Sequence, residues 1–271
     1  MMRAASLAAL CRFSSIAPPV VCQGTIVDFI QRMEVGTNGA TPSIANLNSG
    51  TYGLAAGTWT KVGADGFWLR DSTVNLSVPG LKLADGSGCG DAIGGVSSMN
   101  LASIPGDRYA LMTWAASKAV ITAGFAFRLV SSVAGDVGDI RNLFRFDTGG
   151  GNFLSVTMEI EGTNNKFQIY AHAGGADGAH NITGLDAGTI YWATLRLNAT
   201  VNGPVRIYRL SDLALQGAES LATRGGTDAC TAMRCFGLTD TTGQQATGAS
   251  ILQMSDLAVA FSDVYPLLPI I

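Results

Sequence analysis

The chain has 271 residues, 47% of them hydrophobic and only 14% charged, against about 25% charged in soluble domains generally. Its 17 Lys and Arg are scattered and its net charge is −3, so it has no basic face to follow a phosphate backbone and no nucleic-acid partner is expected. No apolar run approaches the ~18 residues of a membrane span, and 34 glycines suit the many turns of an all-β chain.

Residues 1–23 read as an apolar arm. The start imitates a secretory leader, but Arg12 cuts the apolar run and residues 17–22 contain no small-x-small cleavage site. A retained N-terminal arm followed by one domain over 24–271 is therefore expected. Thr25 to Met33 suits a first strand or a short helix, and 36–57 is a loop by its Gly, Asn, Ser and Thr content. Short strands are expected over 59–62 and 66–70. Val74, Leu76 and Val78 recur at period two, the mark of a half-buried strand. A glycine-rich loop, 85–95, precedes strands at 109–114 and 119–130.

Arg141 to Phe146 and Phe153 to Ile160 read as neighbouring strands around the turn 147–151. In the second, Leu154, Val156, Met158 and Ile160 face one way and Ser155, Thr157 and Glu159 the other. A hairpin turn at 162–165 leads into 167–171, and 172–180 is a glycine-rich loop. The clearest hairpin is 190–210: Ile190 to Leu197, a polar turn with Gly203 and Pro204, then Val205 to Leu210. A loop, 237–249, and an apolar strand, 250–261, close the chain, with Pro266 and Pro269 barring regular structure beyond. No segment keeps a 3.6-residue period for eleven residues, and about a dozen strand candidates at sandwich-like spacing remain.

From about Ala119 to Leu268 the order of elements resembles the concanavalin A-like lectin/glucanase superfamily in its laminin G-like branch. Three pieces carry the resemblance: Phe125-Ala126-Phe127 after a loop, the pair Gly188 to Leu195 and Gly203 to Tyr208, and the closing strand Ala249 to Val259. The Tyr191-Trp192 order is reversed from the family pattern, Ser211-Asp212 replaces its Asp-Gly, and Asp256 stands alone where two acids are common. The implied fold is an all-β jelly-roll β-sandwich of two antiparallel sheets, here with an extended N-terminal arm. The resemblance also implies calcium, for which Asp136, Asp139 and Asp147 flank one strand pair and Asp240 and Asp256 the end of the domain. Otherwise no cofactor is expected.

Carboxylates two apart on a strand share a face, so Glu159 and Glu161 are the nearest match to a glucanase pair. A third carboxylate is missing and Asn164-Asn165 turns the chain, which also suits two solvated acids at a strand end. A nucleophile elbow, a phosphate loop, a dinucleotide fingerprint and a zinc-protease helix motif are all lacking. Sugar binding needs an aromatic platform with a few polar groups, and the candidates are Trp68, Trp114 and Tyr170 with the loop histidines His172 and His180. Five cysteines cannot form a complete disulfide framework, and Cys230 and Cys235 suit either a local bridge across a loop or two unpaired apolar side chains.

A non-enzymatic structural or adhesive protein is the expectation: a phage or virus particle component, a capsid decoration or fibre, that binds surface glycans. Its partners would be other virion or surface-structure subunits, as a homo-oligomer on a virion surface or else at a cell surface. The alternatives are a carbohydrate-binding module of a bacterial surface protein and a glycoside hydrolase using Glu159 and Glu161.

Overall fold

A computed structural model describes residues 25–33, 35–53, 57–66, 68–74, 76, 81–83, 95–101, 107–132, 140–148, 152–162, 165–173, 176–177, 181–198, 204–220, 229–238 and 250–269. The expected N-terminal arm lies outside them. Two antiparallel sheets face each other as a β-sandwich. Numbered in chain order, one sheet holds β4 (Gly57–Val62), β8 (Arg108–Lys118), β10 (Ile140–Thr148), β11 (Phe153–Ile160), β12 (Lys166–Ala173), β13 (Ala176–Asp177), β14 (Ile182–Asp186) and β18 (Cys230–Leu238). Their order is β13-β12-β11-β10-β18-β8-β4, with β14 also on β12.

The other sheet holds β2 (Phe29–Gln31), β3 (Thr51–Gly53), β5 (Trp68–Asp71), β7 (Val96–Asn100), β9 (Val120–Ser131), β15 (Tyr191–Asn198), β16 (Pro204–Arg209), β17 (Ala214–Ser220) and β19 (Ile251–Ala260). It runs β17-β16-β15-β9-β19-β2-β3, with β7 on β19 and β5 on β7. A parallel pair, β1 (Thr25–Val27) and β6 (Leu81–Leu83), stands apart.

The period-two pattern explains the core between the sheets. From β9 come Phe125 and Phe127, from β10 Phe144 and Phe146, from β12 Phe167 and from β15 Tyr191, all buried. Phe125 stacks on Phe144 at 5.4 Å, and Phe127 meets both Phe167, at 6.2 Å, and Tyr191, at 5.8 Å.

The nine-stranded sheet has a second apolar cluster on its outer face, made by Val96, Ala126, Trp192, Tyr208, Ala258 and, from the C-terminal tail, Leu267. Trp192 is its centre. The indole N–H donates to the Leu267 carbonyl at 2.7 Å, and Leu267 N–H donates to Thr194 Oγ1 at 3.2 Å. The ring lies over Gly124 on β9, where an added Cβ would stand 2.3 Å from Trp192 Cζ2. Only glycine leaves that space, because Gly124 is fixed on one side by Thr194 and on the other by Ala258.

Several expectations change. The loop 36–57 contains a one-turn helix, α1 (Ile44–Ser49), which Ser43 caps: its Oγ accepts from Asn46 N–H at 3.1 Å, and Asn46 Oδ1 accepts from Ser43 N–H at 3.0 Å. Val74 and Leu76 lie outside any strand and pack against the outer cluster instead. Cys230 and Cys235 are on the central strand β18, not at the ends of a loop, and both are buried thiols. Five residues of extended chain span roughly 16 Å, too far for a disulfide. Burial pushes the Cys235 thiol well above its ordinary range.

Gly124→Ala should lower stability in urea unfolding by about 1–3 kcal/mol, because the indole must leave its site. Burial holds the phenols of Tyr191 and Tyr265 above their ordinary 10.0. The folded state prefers both protonated, so their contribution is complete below about pH 10 and is lost as pH rises through the raised values. The melting temperature should fall as pH climbs past 10, and Tyr265→Phe should make that fall shallower.

Candidate functional site

The outer face of the eight-stranded sheet differs from that of its partner sheet. Because Phe144 and Phe146 point inward, Arg145 between them points outward, and the same alternation sends out His172, Ser155, Arg234, Leu111 and Thr60. Register places these six side by side: His172 opposite Ser155, Ser155 opposite Arg145, Arg145 opposite Arg234, Arg234 opposite Leu111, and Leu111 opposite Thr60. A second row follows, Phe153, Asp147, Ala232, Thr113 and Thr58. On the other side Tyr170, Thr157 and Asn142 align.

Two arginines directly opposite each other repel. Asp147 resolves this. Its Oδ1 accepts from Arg145 Nε and its Oδ2 from Arg234 Nε, each at 2.6 Å. Asp107 adds a looser ion pair, 4.0 Å from Arg234 Nη1. The side chains of Arg145, Asp147 and Arg234 are only 13%, 15% and 20% exposed, so solvent screens them weakly. Burial works to lower the Arg234 pKa, but the bond to Asp147 and the charges of Asp147, Tyr109 and Asp107 together raise it. Tyr109, 4.8 Å beneath the Arg234 guanidinium, is raised chiefly by its own burial.

Each guanidinium is held by its Nε. Among the described residues the terminal nitrogens of Arg145 and Arg234 make no hydrogen bond, so their N–H groups are left for an external acceptor. Arg145 also lies over the Phe153 ring at 3.7 Å, and that ring meets His172 at 4.9 Å. Beneath them Thr157 Oγ1 and Ser155 Oγ donate to Asn142 Oδ1, at 2.6 and 3.1 Å, in a buried cluster that stiffens the floor.

Of the expected sugar-binding residues, His172 belongs to this face and is half-buried. It sits on β12 rather than in a loop. Tyr170 is on the same face but buried, 2% exposed. Trp68 and Trp114 point into the core between the sheets, Trp114 against Phe29 and Phe261, so neither offers a ring to a ligand. His180 lies outside the described residues.

Glu159 and Glu161 part company because β11 ends at Ile160. Glu159 Oε2 accepts from Gln168 Nε2 at 2.5 Å, and Glu161 Oε1 from Gly184 N–H at 2.9 Å. Of the expected calcium ligands, Asp147 is taken by two arginines and Asp256 is buried 3.9 Å from Arg32, while Asp136, Asp139 and Asp240 are outside the described residues. Among the described residues no three His, Cys, Asp or Glu come together as a metal site, and no helix is long and apolar enough to cross a membrane. Neither Arg145 nor Arg234 was singled out by the sequence; the signal that could have found Arg145 is its place between two inward phenylalanines.

No protein-family model matches the sequence, and neither does any curated protein. Similar solved structures include the binding domain of botulinum neurotoxin serotype G, 9% identical with a TM-score of 0.45 over 86% of this chain and 47% of that one. Another is the PL7 alginate lyase of Zobellia galactanivorans, 12% identical with a TM-score of 0.45 over 77% of this chain and 96% of that one. A third is a GH43 protein of Bacillus licheniformis, 10% identical with a TM-score of 0.41 over 62% of this chain and 33% of that one. This chain spans about half the length of the first and a third of the last. Likeness at this level carries no argument about activity.

Asp147→Asn should leave two neighbouring guanidinium groups without their carboxylate and lower stability by about 3 kcal/mol. Asp212→Asn, which breaks the exposed pair with Arg209, should leave urea unfolding unchanged.

Proposed function

We propose that the protein is a non-enzymatic, adhesive β-sandwich that binds an anionic glycan across the outer face of its eight-stranded sheet. One observation carries the reading: Arg145 and Arg234 stand side by side, held at Nε by Asp147, and their terminal nitrogens make no hydrogen bond among the described residues. A planar guanidinium matches a carboxylate in two-point contact. The pre-set Nε bonds reduce the ordering cost of that contact. Thr60 and Thr113 supply exposed hydroxyls in the adjoining columns, and His172 and Phe153 close the other end. A carboxylate-bearing sugar chain fits this better than a neutral one, because two guanidinium groups share the single carboxylate of Asp147, with Asp107 only loosely paired to one of them.

Presentation on a particle or cell surface, as one copy in a homo-oligomer beside other subunits, belongs to the same proposal. Its support is the low charge and high apolar content of the chain. Membership of the laminin G-like branch rests on the three motifs given above. The parting of Glu159 and Glu161 favours binding over glycoside hydrolysis.

The test is binding of polygalacturonate, with heparin as the sulfated arm and dextran as the neutral one. Polygalacturonate should bind, weaken as salt rises, and lose about tenfold in affinity with Arg145→Lys or Arg234→Lys, which keep charge but not the fork. Its chain length should stay unchanged on incubation. Equal binding of dextran, or unaltered affinity in both variants, would overturn the reading; shortening of the polymer would overturn its non-enzymatic part.

A further inference from the structure

At the β5 edge of the other sheet there is a separate cleft of about 540 Å³. Leu69 and Ser98 lie opposite each other in the register of β5 and β7. Alternation with the inward Trp68 and Met99 puts both on the outer face. Leu69 and Ile251 supply apolar lining. Its wall is the turn around Asn38, which the backbone ties to β5: Gly39 N–H donates to the Arg70 carbonyl at 2.8 Å, and Arg70 N–H to the Ala40 carbonyl at 3.0 Å.

Two polar side chains converge on that lining, and each is held at one end only. Asp71 Oδ1 accepts from Thr73 N–H at 2.9 Å and from Thr73 Oγ1 at 2.6 Å, which aims the carboxylate, while its Oδ2 takes no hydrogen bond among the described residues. Asn38 Oδ1 accepts from Ser72 N–H at 2.8 Å, and its amide N–H groups are likewise uncommitted among the described residues. The cleft thus shows an oriented acceptor and an oriented donor over an apolar surface.

Both formal charges at the cleft are already engaged. Arg70, also in the lining, donates from Nε to the Met33 carbonyl at 2.9 Å and from Nη1 to the Gly36 carbonyl at 3.1 Å, and Asp71 is bonded by Thr73. A ligand with a net charge of its own gains nothing here. One with paired hydroxyls and a C–H face gains at every wall, the hydroxyls giving to Asp71 and taking from Asn38 and the C–H face lying on Leu69. The volume is within the range of small-ligand sites.

We propose that this cleft is a second ligand site, for a single neutral hexopyranose residue, on the sheet opposite the arginine-bearing face. Together the two sites would let one chain hold two glycans of different charge. The proposal does not rest on the anionic site, and each fails by its own ligand and its own variants.

Methyl glucoside, methyl mannoside and methyl galactoside serve as probes on the full chain, by saturation-transfer NMR and calorimetry. At least one should saturate, with an affinity indifferent to salt. Leu69→Trp, which fills the cleft, should abolish binding, and Asp71→Asn should weaken it about tenfold. Arg145→Lys should change nothing. Failure of all three glycosides to saturate would overturn the proposal. So would binding that survives both cleft variants, or binding lost in Arg145→Lys. Should Leu69→Trp fail to fold by circular dichroism, Asp71→Asn and Asn38→Ala decide the matter, since both sit on the rim.

Discussion

The contact between Trp192 and Gly124 decides which surfaces of this molecule are left for anything else. The indole fills the space that a side chain on β9 would need. Its N–H then draws the Leu267 carbonyl, and with it the C-terminal tail, across the outer face of the nine-stranded sheet. Thr194 repeats the attachment one turn of the pleat away. The centre of that sheet is thereby buried on both faces, which requires apolar residues at successive positions rather than alternate ones. This accounts for the composition. A chain that covers both faces of one of its two sheets needs many apolar residues and has few places for charge.

The outer face of the eight-stranded sheet is polar instead, and a paired cluster of partly buried charge, Arg145, Asp147 and Arg234, sits on it. Arg145 and Arg234 stand opposite each other in the register, an arrangement that costs stability unless a carboxylate answers it. Asp147 answers with one oxygen for each. Only the Nε of each guanidinium is needed for that balance. The terminal nitrogens take no hydrogen bond among the described residues, and donors left so in a partly desolvated place cost stability until an acceptor meets them.

The fold is legible in the sequence wherever alternation is strict. The hairpin over 190–210 appears as β15 and β16, and Leu154, Val156, Met158 and Ile160 face the core as their spacing implies. Legibility fails where burial on both faces removes alternation. In β18, Cys230, Ala232, Met233, Cys235 and Phe236 are all buried, so a central strand carries no period-two signal and passes for a loop with two thiols. It fails again at α1, whose six residues are too few to show a helical period and whose cap uses Asn46 in place of an acid. The site was less legible than the fold. Aromatic residues were the natural candidates for sugar contact, yet large rings are also the strongest core formers, and Trp68 and Trp114 are core. His172 lies on the arginine-bearing face, on a strand rather than in a loop.

The two arginines are illegible in the sequence for a related reason. A lone Arg in a strand reads as solvated, and nothing along the chain shows that residues 145 and 234 meet, since their strands lie far apart in sequence and pair only through the fold. The residue that joins them, Asp147, reads from sequence as part of a turn, whereas β10 runs on through Thr148 and carries its carboxylate on the sheet face. One extra pair of residues in a strand therefore converts a turn acid into the hinge of a charged cluster. Had β10 ended at Phe146, the two guanidinium groups would have had no fixed partner and would have turned to solvent. The extent of one strand, not any motif, is what assembles the face that we assign to the ligand.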